Sequence, residues 1–321
     1  MATRLMKIFA GNANPELGRL VAEYLHTQLG QIRIGAFSDG ETRLQVQESV
    51  RGCDIFVIQP TSTPANEHLM QLLIALDAFK RASAARVTAV LPYFGYARQD
   101  QKDNPRSPIS AKLVANLIQS AGADRVVSFD MHVGQIQGFF DIPVDHLPAG
   151  PVLARHLRAS GLHGDEIVIV SPDVGGVARA KKFADRLDAN LVIIAKRRPE
   201  PNQVHIMDVI GEVEGKVCVM VDDLIDTAGT ICEGAGELMK RGAKSVWACA
   251  THPVLSGPAI ERIQESALEK LVVTNTIPMP EEKYCPKIEV LSIAQSLGDA
   301  IERIHEDLSV SALYERYWSF D

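Results

Sequence analysis

Between residues 217 and 230 an apolar run, Val217-Cys218-Val219-Met220-Val221, meets two adjacent carboxylates, Asp222 and Asp223. Small and hydroxyl-bearing residues follow, Asp226-Thr227-Ala228-Gly229-Thr230. At the carboxyl end of a parallel strand, loop backbone is open to ligands. If a helix begins here, the amides of Thr227, Ala228, Gly229 and Thr230 surround a phosphate, aided by the helix dipole and two hydroxyls. Two neighbouring carboxylates suit a vicinal diol, so the run reads as a site for a phosphorylated sugar. One plainer reading is a helix start capped by Asp226 and the threonines. Another is the metal-binding end of a Walker B strand, but neither a G-x-x-x-x-G-K-[ST] loop nor a G-x-G-x-x-G fingerprint accompanies it.

Two other segments suit a nucleotide. Phe37-Ser38-Asp39-Gly40-Glu41 lies between two strand-like stretches and in isolation is a common hairpin turn. Phe37 nevertheless offers a base an apolar face, and Asp39 and Glu41 offer acceptors to an exocyclic amine or a ribose. Pro92-Tyr93-Phe94-Gly95-Tyr96-Ala97-Arg98-Gln99-Asp100 follows the Val-rich run 86–91. Arg98 there has the planar fork that donates two parallel hydrogen bonds to a phosphate; the plain alternative is a solvated surface loop. Strand-like runs also end in Ser128-Phe129-Asp130-Met131-His132 and Ser171-Pro172-Asp173-Val174-Gly175-Gly176. A lone histidine in such a place is ordinarily structural, and an aspartate before glycines ordinarily makes a turn. Lys196-Arg197-Arg198-Pro199 sets three cations after the run 191–195, the usual composition of a solvated loop.

The elements that must position these residues are legible as alternation. Short Val- and Ile-rich runs at 54–59, 86–91, 125–129, 166–170, 191–195, 216–221, 245–250 and 270–274 read as buried strands. Amphipathic segments at 15–29, 65–81, 109–121, 176–187 and 230–241 read as helices between them. A repeated device joins helix to strand: Ala82-Ser83-Ala84, Gly122-Ala123 and Gly242-Ala243 each precede a Val-containing run, and glycine after a helix tolerates the left-handed conformation. A chain of 321 residues exceeds what one core ordinarily serves, so two α/β domains are expected: 1–148, 149–308, and a tail, 309–321, that packs back on the first.

Composition limits the partners. A formal charge of −7 disfavours sequence-independent binding to nucleic acid, which needs a basic field. The five scattered cysteines, without a C-x-x-C pair, read as buried small residues in a reducing compartment. Residues 1–11 are too short an apolar run for a signal peptide, and nothing approaches a membrane span; a cytoplasmic location without membrane partners is expected.

Taken together, the run 222–230 resembles the phosphoribosyl-binding loop of the phosphoribosyltransferase-like fold. With the other motifs, the chain resembles the class I ribose-phosphate pyrophosphokinases over essentially its full length. The loop alone does not separate these enzymes from phosphoribosyltransferases; residues 37–41 and 98–100 do, because a transferase needs no second nucleotide site. The resemblance implies two tandem domains, each a mainly parallel sheet flanked by helices. It implies pyrophosphoryl transfer from ATP to ribose 5-phosphate. Lys196 and Arg198 would be catalytic, and Phe37, Asp39, Gly40, Glu41, Arg98, Gln99 and His132 would contact ATP, the hairpin residues reaching into a neighbouring subunit. Arg198, Asp222, Asp223, Asp226, Thr227, Ala228, Gly229 and Thr230 would hold ribose 5-phosphate, while His132 and Asp173 would serve magnesium (Mg2+). Arg51, Ser83, Arg106, Ser309, Val310 and Ser311 would form a regulatory phosphate site. A homohexamer, activated by phosphate and inhibited by ADP, is also implied. One departure stands out: many members have two basic residues after Arg-Gln-Asp, whereas here Gln101 precedes Lys102. A catalytically silent homologue of the same fold is the remaining alternative, and it should have lost the cations at 196–198, which are present here.

Overall fold

Strands buried on both faces must be apolar at every position, and those of the two large sheets nearly are. The computed structural model describes residues 4–197 and 206–318. In chain order the elements are β1 (Met6–Ala10), α1 (Pro15–Tyr24), β2 (Ile32–Ala36), β3 (Thr42–Val46), β4 (Asp54–Ile58), α2 (Ala65–Arg81), β5 (Arg86–Leu91), α3 (Ser110–Ser120), β6 (Arg125–Phe129) and β7 (Val144–Leu147). Then come α4 (Gly150–Ala159), β8 (Ile167–Ser171), α5 (Val177–Arg186), β9 (Asn190–Arg197), β10 (Ile206–Ile210), β11 (Val217–Ile225), α6 (Gly229–Lys240), β12 (Ser245–Pro253), α7 (Ala259–Glu265), β13 (Leu268–Thr274), β14 (Ile288–Leu291), α8 (Ala294–His305) and α9 (Ser311–Trp318).

Two units result. The first takes residues up to Pro148 together with Thr276–Pro278 and Ser292–Arg316, so α8 belongs to it. Its sheet runs β1-β4-β5-β6-β7, parallel throughout. β4 is buried at all five positions, and its Val57 shares the core with Phe9, Leu76, Phe79 and Val87. β2 and β3 form a separate antiparallel hairpin. The second unit takes Ala149–Asn275, Met279–Leu291 and the chain from Tyr317. Its sheet is β10-β9-β8-β11-β12-β13-β14, with β10 alone antiparallel to its neighbour among the described strands. The alternating mixed architecture is the one the sequence pattern predicts.

The helix-to-strand device is visible at all three places. Ser83 (φ 63°), Gly122 (φ 110°) and Gly242 (φ 85°) are left-handed just past α2, α3 and α6. Cys53, Cys218, Cys249 and Cys285 are buried, as small apolar residues are, and Cys232 is half-buried. Two boundaries differ materially from the sequence expectation. α1 ends at Tyr24 because His26 turns left-handed (φ 51°), and β11 runs four residues past Val221, to Ile225. Among the described residues no helix is long and apolar enough to cross a membrane.

Candidate active site

β11 sets the centre of the second unit's site. On one side it pairs with β8 only as far as Met220; on the other it pairs with β12 through Ile225 and Pro253. The strand therefore outruns β8, and Asp222 and Asp223 lie on the overrun, on the strand itself rather than in the loop after it. Asp223 is buried and Asp222 half-buried. Burial, reinforced by the neighbouring Asp223 carboxyl, pushes the Asp222 carboxyl up to about 7, while the Arg179 guanidinium opposes the rise. Arg179 comes from α5: its Nη1 donates to Asp222 Oδ1 at 2.8 Å and its Nη2 stands 3.2 Å from Asp223 Oδ1.

The loop beyond is held from outside. Leu255 N donates to the Ile225 carbonyl (2.9 Å), Ser256 N to the Asp226 carbonyl (3.0 Å) and Arg262 Nη1 to the Thr227 carbonyl (2.9 Å). The Ser256 hydroxyl bonds the Asp226 carboxylate. Lys283 Nζ donates to the Val254 carbonyl at 3.1 Å; burial pushes its ammonium down, with Asp226 acting the other way. Ala228 occupies the cap position of α6 in the left-handed region (φ 59°, ψ 4°), a conformation costing an L-residue roughly 1–2 kcal/mol, and its methyl side chain makes no capping hydrogen bond. Asp226 is engaged with Ser256, and the cap position itself is an alanine. A helix start of this kind attracts anions.

Asp173 follows β8, exposed. Its Oδ1 accepts from Gly176 N at 2.8 Å and its carbonyl from the Ser171 hydroxyl at 2.7 Å, so it does build the turn that an aspartate before glycines suggests. Lys196 lies within β9, opposite Met207 of β10; Arg198 falls outside the described residues.

In the first unit, residues 37–41 make the turn of the β2–β3 hairpin. Phe37 N donates to the Glu41 carbonyl (2.8 Å), Gly40 N to the Phe37 carbonyl (3.0 Å) and Glu41 N to Asp39 Oδ1 (3.1 Å). Gly40 needs its freedom here, at φ 91°. Phe37 is 51% exposed, with the Arg43 guanidinium 5.8 Å from its ring. Glu48 fixes the base of the hairpin, pairing with Lys7 and accepting from Gln31 N at 2.6 Å.

Arg98 and Gln99 are exposed on the connection leaving β5. That connection is tied to the β4 side by Gly95 N to Thr61 Oγ1 (2.6 Å), and to α3 by Ala111 N to the Gln99 carbonyl (3.2 Å) and a short Ser110–Gln99 side-chain bond. His132 is half-buried just past β6, where Asp130 is left-handed (φ 27°) and Met131 N donates to His146 Nε2 at 2.9 Å.

At the opposite, amino end of the first sheet, Arg51 and Ser83 lie in adjoining segments, joined by Gly52 N to the Ser83 carbonyl (2.9 Å). Ser309 and Ser311 share a 2.9 Å hydroxyl contact, Arg303 holds the Ser309 carbonyl at 2.9 Å, and Val310 is buried. Arg86, beside Ser83 in sequence, reaches Asp307 at 3.1 Å. Arg106 belongs to the connection leaving the carboxyl end of β5, so the chain does not group it with Arg51 and Ser83 by its element order. Arg179, Ser256, Arg262 and Lys283 escape sequence reasoning, since their partners are set by tertiary contacts and no local motif marks them.

Known proteins match the chain in both halves. The model for the N-terminal domain of ribose phosphate pyrophosphokinase matches residues 6–122, and that for the phosphoribosyl synthetase-associated domain matches 195–315. A ribose-phosphate pyrophosphokinase from Oceanobacillus iheyensis is 54% identical over 310 residues, 97% of each chain. Ribose-phosphate pyrophosphokinase 1 from Listeria monocytogenes is 56% identical over the same share. The crystal structure of phosphoribosylpyrophosphate synthetase from Mycobacterium smegmatis superimposes with a TM-score of 0.89 at 45% identity, covering 95% of this chain and 100% of that one. Because this likeness spans both units and not the sugar-phosphate loop alone, the chain belongs to the ribose-phosphate pyrophosphokinase family.

Proposed function

We propose that the chain transfers the pyrophosphoryl group of ATP to the anomeric hydroxyl of ribose 5-phosphate, giving 5-phosphoribosyl 1-diphosphate and AMP for nucleotide biosynthesis. The observation that carries this reading over a phosphoribosyltransferase is the match at residues 6–122, the larger part of a first unit that a transferase consuming phosphoribosyl diphosphate does not need. Asp222 and Asp223 hold the ribose hydroxyls, and residues 226–230 hold the 5-phosphate at the start of α6. Phe37, Asp39, Gly40 and Glu41, with Arg98, Gln99 and His132, serve ATP. The sugar oxygen attacks the β-phosphorus; the new carbon-bound O–P bond forms as the bond to the α-phosphate oxygen breaks, and AMP leaves with that oxygen. Catalysis of this kind is positioning and electrostatics. Lys196 and Arg198 are the cations we assign to stabilising the charge that develops on the transferring group and the leaving AMP.

The donor set suits a magnesium ion. Such an ion takes few protein groups and keeps water and phosphate oxygens, and among the described residues no cluster of three or more potential ligands occurs. We assign His132 to magnesium carried with ATP and Asp173 to magnesium near the ribose; when bound, magnesium neutralises phosphate charge. We further assign a cytoplasmic homohexamer, with the hairpin entering a neighbour's site and Arg51, Ser83, Arg106, Ser309, Val310 and Ser311 taking regulatory phosphate, which ADP opposes.

The test is AMP release from ATP by the purified chain with and without ribose 5-phosphate. Release should require the sugar, and Lys196→Ala and Arg198→Ala should each lower kcat by roughly 10²- to 10³-fold while changing ATP affinity only a few-fold. Sugar-independent AMP release, or near-normal kcat in both variants, overturns the assignment.

A further inference from the structure

Asp222 and Asp223 have a cation behind them that the reaction described above does not use. Consecutive strand residues ordinarily turn their side chains to opposite faces. Arg179 nevertheless meets both carboxylates, at 2.8 Å and 3.2 Å, one through each terminal nitrogen. The pair needs such a partner. Asp223 is 4% exposed, and two carboxylates side by side in a dry setting resist ionising together. Asp222 Oδ1 also accepts from Asp223 N at 2.8 Å, which locks the two residues into one geometry.

We propose that Arg179 is a positioning residue for ribose 5-phosphate: by bridging Asp222 and Asp223 it holds both carboxylates oriented as acceptors for the vicinal hydroxyls of the sugar. The proposal rests on the reading that these aspartates hold the ribose. The groups acting on Asp222 are Arg179 from α5, Asp223 on its own strand and, from β12, Cys249, whose thiol burial pushes far up and so keeps neutral. Burial and Asp223 raise Asp222 to about 7, and Arg179 pulls against them, so removing the guanidinium raises it further. A protonated Asp222 presents a donor where the diol needs an acceptor. Sugar binding is therefore lost as pH falls through the carboxyl's pKa, and without Arg179 the loss sets in at higher pH.

The experiment measures KM for ribose 5-phosphate from pH 6 to 9 at saturating ATP. It uses the wild type, Arg179→Gln, Arg179→Lys and Asp222→Asn. Ratios to wild type at each pH cancel the titration of the substrate phosphate, whose second pKa is about 6. An aspartate beside an arginine is ordinarily shifted by about 1–3 units, so Arg179→Gln should raise KM about 5-fold or more at pH 7. That excess should fade toward pH 9, KM for ATP should stay within about 2-fold, and Arg179→Lys should regain most of the loss. A KM increase of the same size at every pH, with lysine no better than glutamine, overturns the proposal and leaves Arg179 as a tie between α5 and β11; so does no increase at all. Asp222→Asn separates the two layers. An unchanged KM for the sugar in that variant defeats the ribose reading itself, whereas a raised KM there beside a flat Arg179→Gln profile defeats only the role of Arg179.

Discussion

Gly95→Ala puts the ATP assignment of the β5 connection under direct strain. A β-carbon at Gly95 lies 2.3 Å from the Thr61 carbonyl oxygen and 3.0 Å from its hydroxyl. Ordinary contact begins near 3.4 Å, so the shortfall is 3.4 − 2.3 = 1.1 Å. Thr61 cannot yield cheaply: it is 0% exposed, its amide is bonded to the Tyr93 carbonyl at 3.0 Å, and its hydroxyl already takes Gly95 N at 2.6 Å. The displacement therefore passes into the turn ahead, where Tyr96 is already left-handed (φ 65°) and its carbonyl holds Gln99 N at 3.0 Å, carrying Arg98 between them. Overpacking of this sort costs about 1–3 kcal/mol, and a misplacement of about 1 Å at a binding group costs up to ~10²-fold in rate. Steady-state kinetics should show kcat/KM for ATP falling by roughly 10- to 100-fold, with KM for ribose 5-phosphate changed less than about 2-fold. Denaturant unfolding supplies the stability change. Gly229→Ala is the matched control: its added carbon meets Arg262 Nη1 at 3.5 Å and Thr227 Oγ1 at 3.9 Å, both ordinary contacts, and its backbone is not left-handed, so stability should hold or rise slightly. Equal losses for both substrates, or wild-type stability in Gly95→Ala, refute the reasoning.

Two further outcomes are expected. Phe37→Ala should weaken ATP binding in an intact oligomer, and mixing it with inactive Asp223→Ala should restore part of the activity through hybrid sites; confirmed mixed oligomers that stay inactive argue for a site within one chain. Arg86→Met should destabilise the protein by about 3–5 kcal/mol in denaturant unfolding at pH 7, because Asp54 is 0% exposed and would lose its 2.8 Å and 2.5 Å bonds to Arg86, keeping only His305 at 2.8 Å; a loss below about 1 kcal/mol contradicts this account.

The elements legible to the residue were those with chemical marks at both ends. β5 and β6 begin at an arginine just past a left-handed turn and end where the apolar run stops, and α2 runs from Pro64 to the Lys80-Arg81 pair that suits a helix terminus. β11 defeated the same reasoning. Its apolar run stops at Val221, so a strand read from composition stops there too, yet the ladder with β12 carries it on through Ile225. Charged residues can stay in a buried ladder only with a compensating partner, and that partner, Arg179, stands 43 positions earlier on a helix with no motif of its own. Nothing local in the sequence encodes that pairing.

The same distinction separates what could and could not be read at the phosphate loop. A loop that binds through backbone amides advertises itself by residues that leave the backbone uncovered, and Thr227-Ala228-Gly229-Thr230 does so in sequence alone. The conformation that aims those amides is a different matter. Ala228 is held left-handed against its intrinsic preference, and a strained residue persists only where its surroundings over-determine it. Here the surroundings are the bonds from Leu255, Ser256 and Arg262 to residues 225–227, with Lys283 bracing Val254 behind them. The chemistry of the loop is thus written in consecutive residues, while its geometry is imposed by residues some 30 to 60 positions later. Substituting those braces should therefore raise KM for ribose 5-phosphate without altering any group that we assign to its phosphate.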